Sequence, residues 1–248
     1  MDEPVEVAII GGGAAGLGSA GALRRKGIES LVLEQAPDVG QSWRRRYEGL
    51  RLNTVRWMSG LPGMRIPRAA GPWPNRDDFV SYLESYKEHH QLEVRTGVRV
   101  ERIDRDQWGF RLETSAGNLS ARFVVVATGY DHSPLIPNWP GRERFAGELL
   151  HASSYRNAEP YRGRDLLVVG AGNTGSELAV GLLKGGARTV TVSMRTPPNF
   201  LRRDICGLPA TPLAQLGEWL GDLGAGRVAD YVGFRIQRRL HGELDSYG

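Results

Sequence analysis

Two six-residue glycine-rich turns, Gly11-Gly12-Gly13-Ala14-Ala15-Gly16 and Gly170-Ala171-Gly172-Asn173-Thr174-Gly175, each stand between a short apolar run and a helical stretch. Glycine in the first turn of a helix costs stability unless something must approach the backbone closely. Two such turns in strand–turn–helix context therefore predict two units built to hold a dinucleotide. The expected class is α/β, with two Rossmann-like dinucleotide-binding domains and a small antiparallel β insertion. The boundaries are placed at 1–150 and 151–248.

In the first unit, Val5 to Ile10 reads as a buried parallel strand, Ala14 to Lys26 as a helix that Gly27 can cap, and Ser30 to Leu33 as a second strand. Gly11 permits the tight turn, Gly13 lets a pyrophosphate reach the backbone, and Gly16 lets helix and strand pack closely. Ala14 and Ala15 open the helix, whose unpaired N–H groups and partial positive charge favour phosphates. Glu34 follows the second strand, where a carboxylate accepts from ribose hydroxyls; it would repel a 2′-phosphate. The expected nucleotide is FAD or NAD, not NADP.

The second unit repeats the plan with one difference. Asp165 to Val169 reads as a second buried strand, the helix is expected over Ser176 to Lys184 with Gly185-Gly186 stopping it, and Thr189 to Ser193 is the next strand. Met194 and Arg195 then stand where the first unit has Glu34 and Gln35. A guanidinium there can pair with a 2′-phosphate, so NADPH is assigned to this unit, with a solvated surface arginine as the alternative. An acidic ribose position in one unit and a basic one in the other point to FAD at the first and NADPH at the second. A hydride donor beside a flavin acceptor is a flavin oxidoreductase.

Of the 248 residues, 40% are hydrophobic and 24% charged, the balance of an ordinary globular chain. The net charge of +4 suits anionic cofactors and is too mild to indicate nucleic acid; Arg44-Arg45-Arg46-Tyr47 is the one basic cluster with an aromatic. An acidic N-terminus running into a glycine-rich turn does not resemble a signal peptide, and no apolar run is long enough to span a membrane, so a cytoplasmic location is expected. Cys206 is the single cysteine, which excludes a Cys-x-x-Cys dithiol and the thioredoxin-reductase type of chemistry. His89-His90 read as dipole compensation at a helix end.

Between the turns, Asp38 to Asn75 is rich in Gly, Pro, Arg and Trp and reads as an ordered functional loop carrying Trp43, Trp57 and Trp73. A helix capped by Asp77 is expected to run to about His90. Strands are expected over 92–96, 98–103, 108–114 and 123–127, ending in Thr128-Gly129. Pro134, Pro137 and Pro140 mark a stiff crossover. Beyond the second unit, 197–212 is irregular, and Leu213–Leu223 and Arg227–Leu240 read as helices.

The segment from Phe145 to Tyr155 fits the pattern Phe-x-Gly-x-x-x-His-x-x-x-Tyr at every specified position, just upstream of the second glycine-rich turn. Gly40-Gln41-Ser42-Trp43 and Leu50-Arg51-Leu52-Asn53-Thr54 with Met58 resemble a flavin-contacting loop, and Ala127-Thr128-Gly129-Tyr130 resembles an Ala-Thr-Gly hinge. On these residues the chain resembles the class B flavin monooxygenases, the flavin-containing and YUCCA-type enzymes, over essentially its whole length. The resemblance implies that NADPH reduces FAD, that reduced flavin reacts with O2 to a C4a-(hydro)peroxyflavin, and that one oxygen atom passes to a small substrate bearing a nucleophilic nitrogen or sulfur, or a carbonyl. It places Asn53 beside the isoalloxazine as the catalytic residue. It adds Gln35, Gln41, Ser42, Trp43, Leu52, Val100, Ala127, Thr128 and Gly129 to the flavin side, and His151 and Tyr155 to the junction near NADP+. An NADPH oxidase or flavin reductase, and a non-catalytic NADPH-binding fragment, are the other readings. Family members return to the FAD domain through a Gly-Asp motif that nothing after Arg195 resembles. The expectation is an open sheet edge that favours self-association into a homo-oligomer.

Overall fold

The computed structural model describes residues 4–107, 109–130 and 133–196, with the backbone of 204–205 and 208–209. The chain divides into two units, 1–52 with 56–198 and 53–55 with 199–248. Trp108, Cys206 and the helices expected over 213–223 and 227–240 lie outside the described residues.

In the larger unit, β1 (Val5–Ile10) runs into α1 (Ala14–Arg24), then β2 (Ser30–Leu33), the short α2 (Gln41–Arg44), α3 (Arg76–His89) and β3 (Glu93–Arg95). The strands β4 (Val100–Asp106), β5 (Gly109–Thr114) and β6 (Gly117–Val126) follow. Together they form one six-stranded sheet of order β3-β2-β1-β6-β5-β4. β6 joins its two halves. Its Ala121–Val126 stretch pairs parallel with β1, while Gly117–Ala121 pairs antiparallel with β5. Ala121 serves both partners.

The apolar run of β1 is buried on both faces, as a central parallel strand requires. Val7 and Ile9 pack with Ala20 of α1 and Val32, while Ala8 and Ile10 pack with Leu31, Leu33 and Leu112, which the antiparallel strands bring over the opposite face. α1 and α3 touch so closely at Gly21 that a Cβ there would lie 2.1 Å from the Tyr86 hydroxyl.

α3 begins at Asn75, not at Asp77. The Asn75 side chain accepts from the Asp78 N–H at 2.9 Å and the Asp78 carboxylate accepts from the Asn75 N–H at 3.0 Å, a reciprocal capping box. Asp77 lies inside the first turn and pairs with Arg76 at 2.7 Å. The helix-end histidines also differ from expectation. His90 is pushed toward its neutral form, by burial first and then by His89 and Arg25, which weakens the compensation expected of it. Two tyrosines of α3 reach back to the irregular segment: Tyr82 donates to the Met64 carbonyl and Tyr86 to that of Pro62, both at 2.7 Å. That segment is ordered as expected, with single 3-10 turns at Arg56–Met58 and Arg68–Ala70.

The second parallel pair, β7 (Asp165–Val169) and β8 (Thr189–Ser193), flanks α4 (Asn173–Lys184). α4 starts three residues before the expected Ser176, so Asn173, Thr174 and Gly175 are its first turn. In the smaller unit, β9 (Asp204–Ile205) and β10 (Leu208–Pro209) form a two-residue antiparallel ladder. Among the described residues no helix is long and apolar enough to cross a membrane, and no cluster of His, Cys, Asp and Glu could hold a metal ion.

Two stability measurements follow. Asn75→Ala removes half of the capping box and is expected to cost about 1 kcal/mol in urea unfolding. Asp165 accepts from Arg188 Nε and Thr189 Oγ1, both at 2.8 Å, and these bonds hold its carboxyl down at about 2, against an ordinary 3.8. Because the folded value lies below the unfolded one, this contribution is complete above the ordinary value and is lost as pH falls through about 2. An NMR titration of the Asp165 carboxyl carbon should show that midpoint, and Arg188→Ala should move it up.

Candidate dinucleotide sites

The two glycine-rich turns have the same backbone geometry. Gly11 has φ +112° and its N–H donates to the Leu33 carbonyl at 2.8 Å; Gly170 has φ +102° and donates to the Ser193 carbonyl at 2.8 Å. A Cβ on Gly16 would lie 1.9 Å from the Gly11 carbonyl oxygen, and one on Gly175 would lie 2.0 Å from that of Gly170. Neither position tolerates a side chain, so each helix starts hard against its own strand.

The middle glycines behave in the opposite way. Gly13 and Gly172 are the residues preceding α1 and α4, with extended backbone and no side-chain cap. A Cβ on Gly13 would meet nothing nearer than the Ser42 hydroxyl at 4.0 Å, and one on Gly172 would meet nothing within that distance. Among the described residues nothing requires glycine here. The room lies at a helix N-terminus whose first N–H groups lack intrahelical partners, the place where a pyrophosphate fits.

Glu34 is the one buried acidic side chain among the described residues. One carboxylate oxygen accepts from the Gly12 N–H at 2.6 Å and the other from the Ala36 N–H at 2.8 Å. Two backbone donors therefore fix the carboxylate beside the first turn, and each oxygen retains a lone pair for a ribose hydroxyl. Gln35 beside it is exposed. Val98 N–H donates to the Glu34 carbonyl, and Val100 is half-buried against the core beneath.

The loop that follows closes over the turn. Gly40, with φ +71°, donates to the Gly12 carbonyl at 2.9 Å and starts α2. Gln41, Ser42 and Trp43 are held there, with Trp43 against the Phe79 ring at 4.5 Å. Arg44 pairs with Glu84 and donates to the Val39 carbonyl, so this arginine of the basic cluster is structural. From the other side, Ala127 donates to the Ile10 carbonyl, and its own carbonyl lies 2.4 Å from where a Gly11 Cβ would be. Thr128 and Gly129 continue from it into solvent. Leu52 is buried, its N–H bonded to the Pro74 carbonyl. Asn53 is exposed and belongs to the smaller unit.

At the second turn, Asn173 and Thr174 open α4 and Arg195 follows β8, exposed and without a hydrogen bond or ion pair among the described residues. The upstream Phe145–Tyr155 segment has a structural rationale. Gly147 leaves space for the Phe145 ring, which a Cβ would meet at 2.5 Å. His151 Nδ1 accepts from the Ser153 N–H at 3.2 Å and caps the turn Ala152–Ser154. Tyr155 is buried between Tyr47 and Tyr161, ring centroids 6.1 and 5.9 Å away, and burial pushes its phenol up.

The profile of one family, pyridine nucleotide-disulphide oxidoreductase, matches residues 8–204. The chain belongs to that family. The similar proteins include flavin monooxygenases. The chain is 35% identical over 217 residues to indole-3-pyruvate monooxygenase YUCCA1 of Oryza sativa subsp. japonica, covering 86% of this chain and 53% of that protein. A flavin-containing monooxygenase from Stenotrophomonas maltophilia superposes with a TM-score of 0.76 at 29% identity, covering 86% of this chain and 63% of that one. OTEMO, solved in complex with FAD and NADP, shares the fold at 22% identity and a TM-score of 0.62, over 78% of this chain and 39% of that one. The chain spans about half the length of the curated relatives it matches.

Three features escape a reading of the sequence: the Gly12 and Ala36 N–H groups on Glu34, and the bond from Tyr47 to Glu177, 130 residues away. The first two are backbone atoms with no residue signature. The third is a tertiary contact.

Gly13→Ala and Gly172→Ala should leave the thermal midpoint unchanged, because each methyl enters open space. Each should weaken only its own dinucleotide: about 1–3 kcal/mol of overpacking against the ligand corresponds to roughly ten- to hundredfold in Kd. Gly16→Ala and Gly175→Ala, with no room for the methyl, should instead lower the thermal midpoint. Calorimetry and nucleotide titration on the four variants separate the two effects.

Proposed function

We propose that the chain is the nucleotide-binding part of an NADPH- and FAD-dependent monooxygenase, with FAD held by 1–150 and NADPH by 151–248. The observation that carries this reading is the contrast between two superimposable turns. Beside one a buried carboxylate is pinned by backbone donors, and after the second strand of the other stands the exposed Arg195. A carboxylate fixed by two backbone donors suits ribose hydroxyls and excludes a 2′-phosphate, whereas Arg195 suits one.

FAD, when bound, supplies the redox chemistry, accepting a hydride from NADPH and activating O2 to oxygenate the substrate. The protein's share is positioning. The N-termini of α1 and α4 hold the pyrophosphates over Gly13 and Gly172. Glu34 and Arg195 sort the two nucleotides. Gln41, Ser42 and Trp43 border the first turn, and Asn53 is assigned to the flavin from the resemblance. Tyr155 packs with Tyr47 into an apolar cluster that keeps water from the junction of the two folds. The substrate is a small molecule with a nucleophilic nitrogen or sulfur, or a carbonyl; the rice relative is named for indole-3-pyruvate. No nucleic acid or membrane partner is proposed, and the location assigned is the cytoplasm.

The test is the visible spectrum of the purified chain supplied with FAD, before and after anaerobic NADPH. A flavin spectrum that bleaches supports both sites and hydride transfer between them; a chain that takes up neither nucleotide refutes the reading. Arg195→Ala should weaken NADPH and spare NADH. A charge-assisted phosphate contact of roughly 1.5–3 kcal/mol predicts about a tenfold to hundredfold loss, measured as the change in the ratio of the two Kd values.

A further inference from the structure

Tyr47 lies three residues beyond α2, the helix whose Gln41–Trp43 face borders the first turn. Its ring is buried, yet its hydroxyl donates to a carboxylate oxygen of Glu177 on α4. Glu177 sits one turn after Asn173, at the end of the helix that opens on the second nucleotide turn. Around this bond, Tyr47 and Leu50 from the first fold pack with Tyr155, Leu178 and Leu182 from the second. Two further bonds run alongside: Glu48 N–H donates to the Arg156 carbonyl at 2.8 Å, and Asn157 Nδ2 donates to the Glu48 carboxylate at 3.0 Å.

From Gly40, bonded to Gly12, to Tyr47, bonded to α4, there are seven residues of chain, four of them helical. This is a short, stiff connection between the cradles of the two nucleotides. We infer that the Tyr47–Glu177 bond couples the two sites, so that a nucleotide on α4 further stabilises the position of the loop that borders the FAD turn. The Tyr47–Glu177 bond lies against the apolar cluster at this junction, where a hydrogen-bonded partner is costly to remove. A ligand that seats α4 fixes this acceptor, and with it the Gln41–Trp43 loop. The second ligand then meets a loop already stabilised, which is positive coupling and is reciprocal. Tyr47 and Glu177 are on this account positioning residues that need not touch either nucleotide. The inference rests on the two-nucleotide reading above.

The experiment is a FAD titration of the full chain by flavin fluorescence, with and without saturating NADP+, with folding checked by circular dichroism. NADP+ is expected to tighten FAD by about fivefold or more in the unaltered chain. Tyr47→Phe, which removes only the hydroxyl, and Glu177→Met should bring that factor to about one while leaving the NADP+-free FAD affinity within about twofold. Glu177→Gln keeps an acceptor and should retain the coupling. If Glu177→Met does not fold, the contrast between Tyr47→Phe and Glu177→Gln decides. An unchanged factor in Tyr47→Phe, or none in the unaltered chain although it binds both nucleotides, overturns the coupling and leaves the two sites standing. A chain that binds neither nucleotide overturns both.

Discussion

The carbonyl oxygen of Gly11 lies where a side chain on Gly16 would have to be, and the carbonyl of Gly170 stands in the same relation to Gly175. This close approach brings the first turn of each helix against its own strand, with unpaired N–H groups directed outward from the strand's end. Everything else at the two sites is arranged around it. Glu34 reaches the Gly12 N–H because the turn is this tight, and Gly13 and Gly172 stand clear of neighbouring atoms. A helix set back by one side chain would have no cradle, whatever charges surrounded it.

The parts that were legible in the sequence share a physical cause. β1, β2, β7 and β8 have the expected bounds because each is an apolar or β-branched run stopped by glycine or by a change to polar residues. The strands from 93 to 126 were less legible. β6 starts at Gly117 rather than 123, since Asn118, Ser120 and Arg122 face solvent and dilute the apolar pattern that marks a buried strand. The start of α3 illustrates a different limit. Asn75, Asp77 and Asp78 are all good capping residues, and only backbone geometry chooses Asn75.

The site divides in the same way. Glycines and charges at fixed distances from a strand are local and could be read. What fixes Glu34 and what joins the two folds is not local: two backbone N–H groups and a tyrosine–glutamate bond between distant segments. The Phe145–Tyr155 pattern lies between these cases. Its spacing is visible in the sequence, while its reason, a ring lodged over Gly147, a histidine capping a turn and a tyrosine closing the junction, is conformational.

The Ala127 carbonyl gives the two turns unequal freedom. A side chain on Gly11 would strike that carbonyl as well as requiring an unusual φ, whereas Gly170 has the unusual φ and no neighbour within 4 Å. The first turn is wedged between its own helix and the chain leaving β6; among the described residues the second is held by its helix and β8. Sequence drift therefore meets one obstacle fewer at Gly170 than at Gly11, although Gly175 admits a side chain no more than Gly16 does. A change at Gly11 would disturb the centre of the sheet.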